Sequence, residues 1–368
     1  MTTRSWIRRL FANPPRPPRR TPPGFRPHLN VLEDRTVPAN FKVTTFADVV
    51  AADGLTSLRE AIAQAAAVAG DDTIQVPAGE YDLSLGQLSI DDATGAVTIK
   101  GVGGVATIDA QGASRVIEIA AGSTPAFRDL TLTGGHGTTG DGAGIYNFGT
   151  LALQSSTVRG NTSWVDGAGI SNWGTMTLQG STVSGNVGRE GGGIFNAGTM
   201  TLQSSTVSDN VGTFGGGIRS AGTLTLRSST VSGNSGYVGG GIANLGTLTL
   251  RSSTVSGNSA YWNGGGIWTK GMATLQGSTV SGNSAVHGGG IFNYGGTVTL
   301  QSSTVSGNSA VQGGGIYNLY GTLLLIDSTV SGNSAAFGGG GIYNYLGLGT
   351  LLLIDSTVSG NTGGDIFP

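Results

Sequence analysis

From about residue 142 to residue 361 one order of apolar and polar positions recurs. It runs Gly-Gly-Gly-Ile-x-Asn, then Gly-Thr-Leu-Thr-Leu-Gln, then Ser-Ser-Thr-Val-Ser-Gly-Asn-Ser-Ala. The Ile after the glycines returns at Ile145, Ile170, Ile194, Ile218, Ile242, Ile267, Ile291, Ile316 and Ile342, at intervals of 24 to 26 residues. Nine coils are legible, and the last interval is longer because residues 346–349 carry an insertion. Each apolar run is too short for a helix, rich in Thr, Val and Leu, and bounded by turn residues, so each unit predicts three short strands. With side chains alternating across a strand, Ile145, Leu151, Leu153 and Val158 point inward while Tyr146, Thr150 and Gln154 point out. Four aliphatic side chains cannot offset the entropy of ordering a lone coil, so the units must stack.

This pattern predicts an all-β chain: a right-handed, single-stranded parallel β-helix. A leucine-rich horseshoe has a similar period but needs a convex helix or extended segment, and here every part of the unit reads as strand. A polar side chain recurs at one turn of every coil: Asn161, Asn186, Asn210, Asn234, Asn258, Asn283, Asn308, Asn333 and Asn361. Buried alone such an amide is costly, whereas in register each can donate to one neighbour and accept from the other. A structural Asn ladder is therefore expected. Asn147, Asn172, Asn196, Asn244, Asn293, Asn318 and Asn344 could form a second one.

Ahead of the regular coils, Leu58, Ile62 and Ala65 or Ala66 are spaced for one face of a helix running to about Ala69, with Thr56 or Ser57 as N-cap and Glu60 placed for a capping box. An amphipathic helix there would cover the open bore and the unpaired edge of the first coil. The expected organisation is a basic, Pro-rich leader over residues 1–40, a cap with irregular first coils over 41–133, and nine regular coils over 134–368.

Composition narrows the class. Gly supplies 67 of 368 residues without a three-residue period, and hydrophobic residues at 38% are too many for a disordered Gly-rich chain. The first forty residues hold eight Arg and two acids, against eleven bases and nineteen acids in the rest. That acidic body offers no clustered basic surface, so nucleic acid is not an expected partner. With no Cys, disulfides and thiolate chemistry are excluded. No apolar run is long enough for a membrane-spanning helix. The pairs Arg8-Arg9 and Arg19-Arg20 suggest a twin-arginine signal, but neither is followed by the apolar run that a signal requires.

Four resemblances follow from particular residues. Thr56-Ser57-Leu58-Arg59-Glu60-Ala61 is similar to the CSLREA element at the N-terminus of bacterial β-helix proteins, with Thr56 in place of its Cys, and residues 70–81 look like the first strand and turn of pectin-lyase-like proteins. Gly192-Gly193-Ile194 before Phe195-Asn196 resembles the repeats of polymorphic outer-membrane proteins, which are autotransporter adhesins. Here Val231-Ser232-Gly233-Asn234 has Val where that family's second motif has Phe, and the repeats run almost to Pro368 without the family's C-terminal barrel, so the same export route is not implied. The stretch from Val31 to Ala39 resembles a motif near the start of large planctomycete surface proteins, which implies export by a route that the residues do not reveal.

Chemistry is sparse. Residues 134–368 carry thirteen charged side chains and no tight acidic cluster, so no catalytic residue, metal site or cofactor is expected in the coils. The candidate ligand contacts are an exposed aromatic stripe, Trp268, Phe292, Tyr317 and Tyr343, with Tyr294 and Tyr345 two positions on, and a pair of outward cations, Arg227 and Arg251, suited to an anionic sugar or phosphate. Asp327 and Asp355 stack without enough ligands for Ca²⁺, while His136 and His287 read as isolated. The expected function is a non-enzymatic structural or adhesion role outside the cell or on its surface, with surface glycans or envelope proteins as partners and end-to-end self-association an option past the thin cap of residues 365–368. The alternative is a carbohydrate-active enzyme of pectin-lyase-like fold, either a polysaccharide lyase or a glycoside hydrolase. Its centre would lie among Asp91, Asp92, Lys100, Asp109, Arg115, Arg128 and Asp129, where charge concentrates.

Overall fold

The computed structural model describes residues 38–137 and 142–368. The arginine pairs of the leader and most of its surface-protein motif lie outside the described residues. Within them the chain is a parallel β-solenoid whose strands stack coil on coil in register. Asn40–Lys42 is already a strand, paired with Asp72–Asp82, so the stack begins on the last residue expected for the leader.

A single coil shows the plan. Ile291–Tyr294 belongs to a first face of twelve strands; Thr297–Gln301 and Thr304–Ser306 belong to a second, bent face. Ser309–Gln312 then forms a third face before the chain returns to Ile316. That fourth strand per coil is the departure from the three-run reading. Its side chains in this coil are exposed or only half-buried, so no apolar alternation marks it in the sequence.

Inside the coils Ile145, Leu151, Leu153 and Val158 are fully buried, as are their counterparts along one apolar column that reaches Ile342. Three ladders of polar side chains accompany it. From Asn161 to Asn361 each amide Nδ2 donates to Oδ1 of the next Asn at 2.9–3.0 Å, and that Oδ1 also accepts the preceding Asn N–H. The second Nδ2 hydrogen of Asn258 goes to the Val231 carbonyl at 3.0 Å, so every polar atom of this buried side chain is used. The ladder ends on a carboxylate: Asn361 donates from N and Nδ2 to Asp365 Oδ1, which holds the Asp365 carboxyl below its usual range. The second Asn column also forms, interrupted where Ser220 and Thr269 take an amide's place. A serine column from Ser156 to Ser356, which the sequence reading missed, accepts each preceding Ser N–H at 3.0–3.2 Å.

Two turns set the corners. Between the halves of the second face, Asp129, Ser155, Ser204, Ser228, Ser252, Ser302, Asp327 and Asp355 all hold φ between 47° and 55°, a left-handed conformation that Ser and Asp adopt only at a cost. The return from the third face to the first uses the triple glycine. Gly288 has φ 64°, and a Cβ on Gly290 would lie 2.5 Å from the Gly315 carbonyl oxygen, so only glycine lets successive coils close there.

At the N-terminal end the helix Leu58–Ala66 buries Leu58, Ala61, Ile62 and Ala65. It stops three residues short of the expected Ala69. Ser57 is the N-cap, and its reciprocal bonds with Glu60 complete the capping box. Arg59 grips Asp48 with two bonds of 2.8 and 3.0 Å and donates to the carbonyls of Gly86 and Gln87, tying the entry loop to the first coil. Burial alone would raise the Asp48 carboxyl, but the Arg59 guanidinium and the Leu85 N–H outweigh it and lower its pKa.

Candidate functional site

The triple-glycine corner brings the outward side chains of the third face against those of the first. On the first face Arg219, Ala243, Trp268, Phe292, Tyr317 and Tyr343 follow one another in register. Opposite them on the third face run Phe214, Val238, Asn263, His287 and Gln312. Phe214, Val238, Asn263 and His287 of the third face and Trp268, Phe292 and Tyr317 of the first line a cleft of about 440 Å³, walled further by Tyr294, Tyr320 and Tyr345.

This arrangement corrects the expectation of an exposed stripe. Phe292, Tyr317 and Tyr343 are only 4, 5 and 7% exposed, and Trp268 is half-buried. Parallel strands set these residues about 4.8 Å apart, so their rings stack on one another: Phe292 on Tyr317 at 5.0 Å, Tyr317 on Tyr343 at 4.8 Å, and Tyr343 on Phe367 at 5.0 Å. Their faces are consumed by the stack. Of the stacked rings Phe292 and Tyr317 border the cleft, with a less buried row, Tyr294 and Tyr345, packed against them. Burial, with the neighbouring Tyr343, Tyr345 and Tyr320, pushes the Tyr317 phenol up to about 12.

His287, read from the sequence as isolated, is a lining residue of this cleft. Its ring meets Trp262 and Tyr317 edge-on, each at 5.4 Å. Burial lowers its pKa, against an opposing hydrogen bond with Gln312. Trp262 owes its place to one extra residue. The strand Ser259–Asn263 has five residues where Ser284–His287 has four, and the register shifts between Ser259 and Asn263. Such a bulge re-aims a side chain, and here it sets the 44% exposed Trp262 against the cleft. The hint in the sequence was the Tyr261-Trp262 pair in a coil of 25 residues between Ile242 and Ile267.

The other candidates are dispersed. Arg227 and Arg251 are exposed register neighbours on the second face. Asp327 and Asp355 occupy its left-handed turn, and His136 Nδ1 hydrogen-bonds the Thr162 hydroxyl at 2.8 Å. Among the charges of the irregular coils, Lys100 and Arg128 are exposed register neighbours on the second face. Asp109 pairs in register with Asp82, and together with Glu80 they set three carboxylates within 4.8 Å of one another. Sequence reading missed Glu80 and Asp82, which only coil stacking brings to Asp109. Asp92 is buried and accepts from Thr94, Asp129 sits at the left-handed turn, and Arg115 is held by Glu118, Gln87 and the Gly142 carbonyl. These three serve the backbone or their neighbours and do not join the carboxylate cluster. Asp91 is exposed beside Arg59 in a separate shallow pocket.

Among the described residues no helix is long and apolar enough to cross a membrane. No protein-family model matches the chain, and no curated protein matches it. Solved structures do. The A-module of the Azotobacter vinelandii mannuronan C-5 epimerase AlgE6 is 17% identical, with a TM-score of 0.54 over 86% of this chain and 93% of that one. The A-module of the AlgE4 epimerase from the same organism is 18% identical, with a TM-score of 0.49 over 85% and 94%. Pectate lyase Pel9A is 12% identical, with a TM-score of 0.46 over 79% and 78%. At these identities the likeness is one of fold: this chain is an all-β parallel β-solenoid.

Proposed function

We propose that this protein is a carbohydrate-binding β-solenoid that works outside the cell or on its surface and holds a glycan in the aromatic corner cleft. The observation that carries this reading is the cleft itself, a concave site lined by Trp262 and Trp268, by Tyr294, Tyr317, Tyr320 and Tyr345, and by the polar Asn263 and His287. Sugar rings offer an apolar C–H face and a rim of hydroxyls, and a site of aromatic rings with a few polar atoms matches both. The cleft lining carries no carboxylate, so it lacks the acid–base pair that glycoside chemistry requires. A glycan array with the full chain tests the reading beside Trp262→Ala and Tyr320→Ala, two exposed positions that leave the ladders intact. Loss of array signal in both variants, at unchanged melting temperature, supports it; a wild-type protein that binds no glycan refutes it.

A second reading, action on a polyuronate, is favoured by one specific feature. The second face carries the adjacent cations Lys100 and Arg128, and its same early strands carry the Glu80–Asp82–Asp109 cluster. Adjacent cations suit a row of carboxylates. Incubation with alginate and with pectate, followed by product analysis, tests it. Product formed by the wild type and lost in Lys100→Ala and Asp109→Ala would move the function to that face.

A further inference from the structure

Within the cleft two polar atoms are shielded from solvent and have no hydrogen-bond partner: Asn263 Oδ1 and His287 Nδ1. They are register neighbours, about one strand spacing apart. Both can accept. Asn263 Oδ1 is a carbonyl oxygen, and in the Nε2–H tautomer of the neutral ring His287 Nδ1 keeps its lone pair. A hydrogen bond with Gln312 acts on the same ring. Burial pulls the ring pKa down against this bond, which preserves the neutral, accepting form near neutral pH. Two orphaned acceptors side by side call for a ligand that brings hydrogen-bond donors.

The surroundings restrict that ligand further. No Arg, Lys, Asp or Glu lines the cleft, and Lys270 lies 6.0 Å from the ring of its lining residue Tyr294. A carboxylate entering this space would lose its water without gaining a cation, meeting only neutral tyrosine and tryptophan donors, and two acceptors would repel it. Trp262 lies edge-on to His287 from an inserted bulge position, exposed enough to move without disturbing the ladders.

We infer that the cleft selects uncharged, hydroxyl-bearing sugar units, with Asn263 Oδ1 and His287 Nδ1 as the acceptor pair that reads their O–H groups and Trp262 as the cover that swings aside to stack on them. This inference rests on the glycan-binding reading above and adds the substrate class and the residues that set it.

The experiment is titration calorimetry on the full chain. The neutral probes are hexasaccharides of β-1,4-linked glucose, mannose and xylose and of α-1,4-linked glucose; the charged probes are hexamers of galacturonate and of mannuronate. At least one neutral hexamer is expected to bind ten-fold or more tightly than either uronate, and its O-methylated form to lose ten-fold or more. Asn263→Leu and His287→Phe, which remove the acceptors at similar volume, are expected to weaken the neutral hexamer by similar factors. Methylation uses the unaltered protein, so it decides the point even if a variant folds poorly. No binding by any hexamer overturns the glycan reading and this inference together. Uronates that bind as tightly as the neutral hexamers, or a methylated sugar and acceptor variants that bind as well as their references, overturn the inference and leave glycan binding standing.

Discussion

The triple-glycine corner precedes the recurring Ile from Ile194 to Ile342, and two stretches of it carry opposite chemistry. In the earlier stretch Glu190 reaches across to an ion pair with Arg219 of the next coil, and Arg219 lies over the Phe195 ring at 5.3 Å. In the later stretch His287 and Tyr317 occupy the same two positions and meet as rings, 5.4 Å apart. The backbone ladders beneath are the same, with Ile194, Ile218, Ile291 and Ile316 all fully buried. The difference teaches that inward columns make the solenoid and outward columns are free to carry function. A charged corner closes on itself, whereas an aromatic corner with one bulge stays open as a cleft.

The largest expected effect tests the shared half of that comparison. Asn186→Ala and Asn258→Ala each strand the buried N–H and Nδ2 donors of the Asn on the preceding coil, Asn161 and Asn234, at about 1–3 kcal/mol for each unsatisfied group, so each should cost several kcal/mol in urea unfolding. Equal losses would show that the ladder is indifferent to what the corner carries; a much larger loss in one stretch would break the comparison.

The double change His287→Glu with Tyr317→Arg writes the earlier chemistry into the later stretch. It should leave the far-ultraviolet dichroism unchanged, abolish any glycan binding, and cost about 1–3 kcal/mol because Tyr317 gives up two stacked neighbours for a partly exposed ion pair.

Alkaline pH should separate the stretches next. With its pKa pushed up to about 12, folded Tyr317 keeps its proton where an unfolded tyrosine, with a pKa near 10, has lost it. Between those values the native state binds more protons than the unfolded one, so stability falls as pH rises from about 10 to 12. An absorbance titration at about 295 nm should show one late phenol that is missing in Tyr317→Phe.

The smallest effect is a gain. Ser204 and Ser252 sit at φ 48° and 49°, and glycine there relieves the left-handed strain, so Ser204→Gly and Ser252→Gly should each stabilise by about 0.5–1 kcal/mol in thermal melts.

Much of the fold was legible, because an inward side chain, a turn residue and a ladder amide recur at a fixed chain distance. Ile145, Leu151, Leu153, Val158 and Asn161 each announce their role through that period. The capping box at Ser57 and Glu60 was legible for the same reason, as it spans three residues. The candidate site was not. Phe292 and Tyr317 were visible as a stripe, but their burial depends on the third face closing over them. Trp262, Asn263 and His287 are distant in the chain from Tyr317, Tyr320 and Tyr345 and share no motif with them. Glu80 and Asp82 meet Asp109 only through the offset of one coil against the next.

The amino-acid sequence by itself determined that this protein is a stack of β coils, since alternation along a strand and repetition every 24 to 26 residues are local facts that sterics and burial convert directly into a solenoid. The tertiary structure alone decided which outward residues share a space. That depends on how sharply the triple glycine turns and on one inserted residue before Asn263, and both act through backbone geometry that a pattern of polar and apolar letters does not record.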